Sequence, residues 1–382
     1  MLLLLAVLYV VKVVGLPTGM TVNLTSSVGP PVLRDYGWSP GKGPTELRTT
    51  SLSPFGSVAV LLQPSGPRWA AATKLLVIRA DGSQVMLPRP DDQTLAEAFH
   101  ESETAGWKPS YPYAYFDGVS LARDGTPFAT VAATFSGAFS GVNTAVFTWN
   151  GEKWTNVLPQ SEYFKSRNIT IGAADILGRA AFNVNTYNQF VNLDEAERDP
   201  HYHEFWTFLA DGRRQTRLGY GSATAMRGDV VVGYSAGISQ MAKNPQPCIA
   251  WEWLGDKRVN LGRGIAYGIN ASHDAVGDDE QILGTEGRPV LWRNGSVIRL
   301  SDEKGSALAI SDDGTIAGYV GDDGFLIRGD DSRRRIVRID TVLAQRGWHV
   351  FVVYAIASTG RLLAVGNRSN EKPLLLLLDP VR

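Results

Sequence analysis

The chain of 382 residues carries 37 basic and 38 acidic side chains, 40 Gly, 10 Trp and one Cys. A formal net charge of -1 excludes the basic surface that binds nucleic acid, and a single Cys excludes an internal disulfide and a thiolate metal site. The hydrophobic fraction of 44% is typical of a folded protein, and abundant Gly beside aromatic residues indicates short strands joined by tight turns.

The N-terminus is apolar without interruption from Leu2 to Val11. This run is too short to cross a membrane as a helix and has the length of a signal-peptide core, although no Lys or Arg precedes it. We therefore expect residues 1–19 to be a signal peptide or a membrane anchor. The protein would then be extracellular, periplasmic or part of the cell envelope, and would touch a membrane only through this segment if it is not cleaved. A buried β-strand is the alternative, because several of these residues are β-branched Val.

A first repeated half-module recurs along the chain as an apolar strand, a polar turn and a second apolar strand that often ends near a Gly. Its seven copies are SLSPFGSVAVLL (51–62), SLARDGTPFATV (120–131), AADILGRAAFNV (173–184), ATAMRGDVVVGY (223–234), AYGINASHDAVGDDEQ (266–281), ALAISDDGTIAGYVGD (307–322) and YAIASTGRLLAVG (354–366).

A second hairpin follows most copies, best seen in VLWRNGSVIRL at 290–300, with an N-G, D-G or G-D turn that favours tight hairpins. Together the halves make a four-stranded unit that repeats about every 40 residues, as propeller blades do. We predict an all-β propeller over residues 20–382 as a single domain, most simply with seven four-stranded blades, although six or eight are possible. The last copy lacks a complete second hairpin, so the N-terminal segment 20–27 is expected to add its outer strand and to bring the termini together.

An aromatic insertion at 89–116 is the first candidate binding site. Trp107, Tyr111, Tyr113 and Tyr115 alternate with Pro, and such aromatic faces stack on sugars or other rings. The alternatives are a clasp that packs over the neighbouring blade and, for the three tyrosines, one face of a strand.

A second insertion at 185–204 ends in DPHYHEFW, where His201 and His203 point to one face of an extended segment. With Asp199 or Glu204 they form a candidate divalent metal site, and the alternative is a plain charged loop. No other cofactor is expected.

Tryptophan recurs at one position of the second hairpin, in Trp149, in Trp251 or Trp253, and in Trp292. Equivalent positions in successive repeats indicate packing between blades and not a cofactor site. The Asp pairs at 278–279, 312–313, 322–323 and 330–331 lack the alternating oxygen ligands of a calcium loop, so ordinary turns are expected.

The last copies resemble the HAF repeats, the probable extracellular repeats of bacteria. Ile269, Asn270 and Gly277 match the family pattern in the fifth copy, and Ile310, Asp312, Gly314 and Gly318 match it in the sixth. The resemblance is good over 265–380 and weakens towards the N-terminus. It implies a propeller-like, exported repeat protein, and it implies no reaction and no catalytic residue.

Function is therefore expected to reside in loops at one mouth of the central channel, formed by the insertions 89–116 and 185–204, that bind a carbohydrate or a protein. An enzyme is less expected. The alternative is a glycoside hydrolase or polysaccharide lyase, which would need a pair of carboxylates about 5–10 Å apart at a channel mouth. A mouth filled by apolar side chains would argue against that alternative.

Overall fold

The architecture is a ring of seven β-sheets, which confirms the predicted all-β propeller with seven blades. The structure is a computed structural model that describes residues 9–13, 20–22, 50–64, 74–104, 108–136, 141–157, 169–175, 179–185, 205–211, 214–235, 247–279, 287–328, 335–343, 347–368 and 374–380. In blades two to six each sheet is an antiparallel series of four strands in chain order, with the first strand innermost.

Blades one to three occupy the N-terminal half of the described chain. Their strands are β2 (Met20–Val22), β3 (Thr50–Leu52), β4 (Val58–Pro64), β5 (Lys74–Ile78) and β6 (Gln84–Leu87) in blade one; β7 (Lys108–Leu121), β8 (Pro127–Ser136), β9 (Gly141–Trp149) and β10 (Trp154–Asn156) in blade two; and β11 (Ile169–Ala174), β12 (Arg179–Asn185), β13 (Phe205–Asp211) and β14 (Arg214–Tyr220) in blade three. In blade one the inner position is shared, because β2 and β3 pair with opposite ends of β4.

Blades four to six follow the same plan. Their strands are β15 (Ser222–Arg227), β16 (Val230–Ser235), β17 (Ile249–Leu254) and β18 (Lys257–Arg263) in blade four; β19 (Ile265–Ile269), β20 (Ala275–Asp278), β21 (Pro289–Arg293) and β22 (Ser296–Arg299) in blade five; and β23 (Gly305–Ile310), β24 (Ile316–Val320), β25 (Asp323–Ile327) and β26 (Val337–Arg338) in blade six. A 3-10 helix, Ile339–Val342, leads from blade six to blade seven.

Blade seven is completed by the N-terminus. Its strands β27 (Trp348–Ile356), β28 (Leu362–Arg368) and β29 (Leu374–Pro380) are joined at the outer edge by β1 (Tyr9–Val13). Tyr9 lies opposite Pro380 and Val13 opposite Leu376, so the termini are adjacent as expected. The expected segment was wrong, however: residues 9–13 add the closing strand, and Met20–Val22 pairs with β4 instead. A β-branched run suits an edge position beside the leucine-rich β29.

The insertion 89–116 contains the helix α1 (Asp92–Thr104), which the sequence analysis did not predict. Asp91 precedes it and accepts a hydrogen bond from the Thr94 amide at 2.7 Å, as an N-cap residue does. Leu95 and Phe99 are buried in one cluster with strands of blades one and two. Through α1 the insertion packs against blades one and two, as the clasp alternative predicted. Among the described residues, no helix is long and apolar enough to cross a membrane.

The core lies between neighbouring blades. Trp253 is fully buried in a cluster with Ala181 and Leu218 of blade three, and Trp292 is buried with Val230 and other residues of blade four. Both tryptophans therefore pack between blades, as predicted from their equivalent positions. Blades seven and one share another apolar cluster, which closes the ring.

Candidate binding site at the channel mouth

The inner strands of the seven blades enclose a channel with a cavity of about 300 Å³. Its wall is made mainly of small or apolar side chains and backbone, with Ala173, Gly172 and Thr170 of blade three as examples. None of the described residues that line this cavity carries a charged side chain, in contrast to the cavity at one end of the channel.

One end of the channel, here called the turn mouth, is formed by the turns that follow the inner strands. These turns lie at 53–57, 122–126, 228–229, 270–274, 311–315 and 357–361, and in blade three the described residues Asp175 and Arg179 lie at the same end. A second cavity of about 480 Å³ opens there. It meets the channel at an apolar collar formed by Pro54, Ala174, Met226, Ile269, Ile310 and Ile356.

Charged residues from three blades converge above this collar. Arg227 of blade four donates from Nε to Asp312 Oδ1 of blade six at 3.1 Å, and its Nη2 contacts the other carboxylate oxygen. The Ala271 amide of blade five donates to the same Oδ1 at 3.0 Å. Arg123 of blade two approaches from the other side, with Nη2 3.9 Å from Asp312 Oδ2. One carboxylate thus faces two guanidinium groups across the mouth.

Arg123 makes fewer and longer contacts with Asp312 than Arg227 does. Its Nε is buried and has no hydrogen-bond partner among the described residues. Within the described part of the chain its one ion pair is the 3.9 Å contact to Asp312, and its guanidinium carbon lies 5.4 Å from the centre of the Phe55 ring. Phe55 is 47% exposed. Arg123 therefore lines the cavity with donors that an incoming acceptor can use.

A second charged group lies on the blade three and four side of the turn mouth. Arg179 contacts both Asp175 of its own blade, at 3.0 Å, and Asp229 of blade four. Burial alone would lower the pKa of Arg179, but the hydrogen bond to Asp229 and the charge of Asp175 raise it above its ordinary value. The two carboxylates are thus bound by one cation.

The hydrolase alternative receives no support from this arrangement. It needs carboxylates available for proton transfer and attack, whereas Asp175, Asp229 and Asp312 all contact arginines.

The opposite end of the channel is here called the insertion mouth, because strand ends that flank the predicted insertions 89–116 and 185–204 lie there. The flanking strand ends Lys108, Asn185 and Phe205 all lie there, because strands alternate in direction. Tyr111, Tyr113 and Tyr115 belong to β7, as the strand alternative expected. Tyr115 is half-buried, and burial, together with the nearby Asp117, raises the pKa of its hydroxyl.

The remaining predicted site residues lie outside the described residues. These are Trp107, Asp199, His201, His203 and Glu204. Ligand binding by the aromatic insertion and metal binding by the histidines therefore stay predictions.

Sequence reasoning missed Arg123 and Arg227, although both occupy repeat turns. The signal was present: basic residues stand at or beside the turn of the first half-module in the second and fourth copies. Asp312 had been noted as part of an Asp pair expected to form an ordinary turn. Its contact with two distant arginines depends on ring closure, which spacing along the chain does not show.

No protein-family model matches the chain, and no curated protein sequence does so either. Among solved structures, the β-propeller domain of the Trilobed protease from Pyrococcus furiosus is similar, with 8% identity and a TM-score of 0.50 over 86% of this chain and 94% of that one. The acylaminoacyl peptidase of Pyrococcus horikoshii is 12% identical, with a TM-score of 0.47 over 84% of this chain. This chain spans 49% of that peptidase's length. At such identities the likeness shows the propeller fold alone.

Proposed function

We propose that this chain is an exported propeller of HAF-type repeats that binds an acidic saccharide at the turn mouth. The observation that carries the proposal is the convergence of Arg123 and Arg227 on the single carboxylate of Asp312. Export and membership of the HAF repeats enter the proposal from the repeat pattern of the last copies, because residues 9–13 of the N-terminal apolar run form β1 of blade seven.

The chemistry of the arginines supports an anionic ligand. A guanidinium group presents several N–H donors in a planar fork that fits the two oxygens of a carboxylate. Arg227 already holds Asp312 in this way, whereas Arg123, whose side chain is 31% exposed, has only a 3.9 Å contact to Asp312 through Nη2. A ligand carboxylate that enters the cavity would therefore bind first to Arg123.

The neighbouring surface supports a saccharide as the carrier of that carboxylate. Phe55 lies beside Arg123 and is 47% exposed, and exposed aromatic faces pack against the apolar faces of sugar rings. The cavity of about 480 Å³ is within the size range of small-molecule sites. The rigid ring beneath it would hold the arginines in place before binding.

The test is calorimetric titration of the full chain with an oligogalacturonate, with a neutral cello-oligosaccharide of equal length as the control ligand. We expect binding of the acidic ligand alone, weakening as salt rises because exposed charges are screened. Arg123→Gln should weaken binding on the order of tenfold or more, the loss of one charge-assisted hydrogen bond. Asp312→Asn should tighten binding, because it removes the competing carboxylate.

Arg299→Gln is the matched control, since Arg299 is an exposed arginine of the outer strand β22 that also pairs with a carboxylate. It should bind like the unchanged chain. Equal binding by Arg123→Gln and the unchanged chain would refute the site. Binding of the neutral saccharide as tightly as the acidic one would refute the anionic ligand. Export is tested separately, by N-terminal sequencing of protein recovered from the cell envelope and the medium.

A further inference from the structure

A cluster of metal-ligating side chains lies at the insertion mouth, at the junction of blades six and seven. Asp323 begins β25, Asp340 lies in the 3-10 helix between the blades, and His349 lies near the start of β27. One ligand atom from each side chain lies within 4.8 Å of the other two. The cluster is far along the fold from the turn mouth, since it occupies the other ends of the same strands.

The local backbone brings these three side chains together. Gly324 follows Asp323, and a side chain at this glycine would crowd Val350 of β27, so the two blades approach closely here. The Val350 amide donates to Asp340 Oδ1 at 2.9 Å, which leaves Oδ2 facing His349. The ring of Phe351 packs edge-on against the imidazole, with centroids 4.7 Å apart.

The spacing of the ligand atoms fits a small divalent cation. His349 Nδ1 lies 2.8 Å from Asp340 Oδ2 and 3.7 Å from Asp323 Oδ1. Bonds of about 2.0–2.2 Å to one zinc ion, arranged tetrahedrally, place ligand atoms about 3.4 Å apart. The observed distances lie on either side of that value, so small side-chain rotations would suffice.

We infer that Asp323, Asp340 and His349 form a binding site for a divalent transition metal such as Zn²⁺. One imidazole nitrogen with two carboxylates favours zinc or manganese over calcium and magnesium, which prefer oxygen ligands alone. Three protein ligands leave a fourth position for water or for an oxygen of a ligand. Because the ligands come from both blades and their connection, the metal would also fasten blade six to blade seven.

Arg338 is the internal competitor for this site. Its guanidinium contacts Asp323 and lies 3.7 Å from Glu303. A bound cation would take Asp323 from Arg338, and Glu303, which is exposed, would remain as its partner. Replacing Arg338 with a neutral residue should therefore strengthen metal binding, because Asp323 would no longer be shared with a guanidinium group. If the cluster were only a structural ion pair, this replacement would not strengthen metal binding.

The experiment titrates Zn²⁺ into metal-free full-length protein, with Mg²⁺ and Ca²⁺ as comparison ions. We expect Zn²⁺ binding that His349→Gln and Asp340→Asn each weaken on the order of 10- to 100-fold, while Arg338→Gln strengthens it several-fold. Co²⁺ should give visible absorption bands that His349→Gln alters. His273→Gln is the control, because His273 also pairs with a carboxylate, Glu252, at the other mouth. It should not change binding at this site.

Three results would overturn the inference: no Zn²⁺ binding, binding that is unchanged in both ligand variants, or weaker binding in Arg338→Gln. Circular dichroism of each metal-free variant shows whether it is folded. If a variant is unfolded, Asp323→Asn replaces it in the comparison. The metal titrations do not depend on saccharide binding at the turn mouth. The metal site and the saccharide site can therefore be refuted separately.

Discussion

Arg227 and Asp312 form an ion pair that spans the turn mouth from blade four to blade six, with Nε 3.1 Å from Oδ1 and a second contact through Nη2. The pair passes over the turn of blade five, whose Ala271 amide donates to the same carboxylate. The pair thus links two blades that are not neighbours in the ring. A bidentate ion pair in a partly covered site stabilises the fold more than a fully exposed pair does.

A double-mutant cycle measures this link. Arg227→Gln, Asp312→Asn and the double variant should show a coupling of about 1 kcal/mol in the free energy of unfolding at low salt, from denaturant titrations. The Arg299–Asp279 pair of blade five, at 3.0 Å, joins the outer strand β22 to the residue that follows β20. It is the control and should show a smaller coupling because Arg299 is about half exposed. Equal coupling in the two pairs would contradict the special position of the mouth pair.

The glycine near the end of the first half-module allows the second strand of a blade to approach the inner strand closely. At Gly318, a Cβ atom would overlap the backbone carbonyl of Ser306 on the inner strand, and Gly277 stands in the same relation to Ile265. Gly318→Ala should lower the free energy of unfolding by about 2–3 kcal/mol, the upper part of the range for overpacking a core, because the overlap is with backbone and not with a flexible side chain.

Gly295→Ala separates crowding from backbone strain. Gly295 has a φ of +73° but no atom within 4 Å of its would-be Cβ, so its substitution should cost only about 1 kcal/mol. The two variants are compared by chemical denaturation under the same conditions. If Gly318→Ala costs no more than Gly295→Ala, the close approach between inner and second strands is not what selects glycine.

The loss of stability at low pH should depend on Asp313. Burial would raise the pKa of Asp313, but hydrogen bonds from the Ser311 hydroxyl and the Thr315 amide lower it below its ordinary value. A lowered folded-state pKa means that the stabilising contribution is present above the unfolded-state pKa of about 3.9 and is lost as the pH falls through the folded-state value.

Asp313→Asn should therefore reduce stability at pH 7 and lose less stability between pH 5 and pH 2, in unfolding titrations at each pH. Asp302→Asn is the control, because that carboxylate is 96% exposed. If Asp313→Asn and the unchanged chain lose the same stability between pH 5 and pH 2, Asp313 does not contribute to the acid dependence. The side chain of Asp313 is exposed in part, so solvent screening keeps the effect modest.

The repeat pattern was enough to predict the ring of blades and the packing of Trp253 and Trp292, because both follow from local periodicity. It was not enough to identify the closing strand, since pairing between residues 9–13 and β29 joins the two ends of the chain. The helix α1 was signalled by Asp91 followed by Leu95 and Phe99 at helical spacing, a pattern overlooked beside the aromatic residues.

The candidate site was harder to predict for a physical reason. Arg123, Arg227 and Asp312 are about 100 residues apart along the chain and meet because the ring brings equivalent turns to one end. The repeat alignment implies that these turns share a mouth. It does not show which long side chains reach across, because that depends on the diameter of the channel.

The N-terminal strand gives the last prediction. Deleting residues 1–13 would leave β29 as an open edge in blade seven, next to the seam with blade one. Exposed edge strands pair with other chains, so the truncated protein should unfold at a lower temperature and aggregate on heating. Light scattering during a thermal melt measures both effects, and deletion of residues 1–8, which keeps β1, is the control.

The same pair of variants bears on the signal-peptide expectation. If cleavage near residue 19 produces the mature protein, β1 is removed with the leader, and the variant without residues 1–13 should match the unchanged chain in stability. If β1 is retained, the two should differ, and mass spectrometry of the purified full chain should find residues 9–13 present. The structure pairs all five of these residues with β29, so we expect the second outcome.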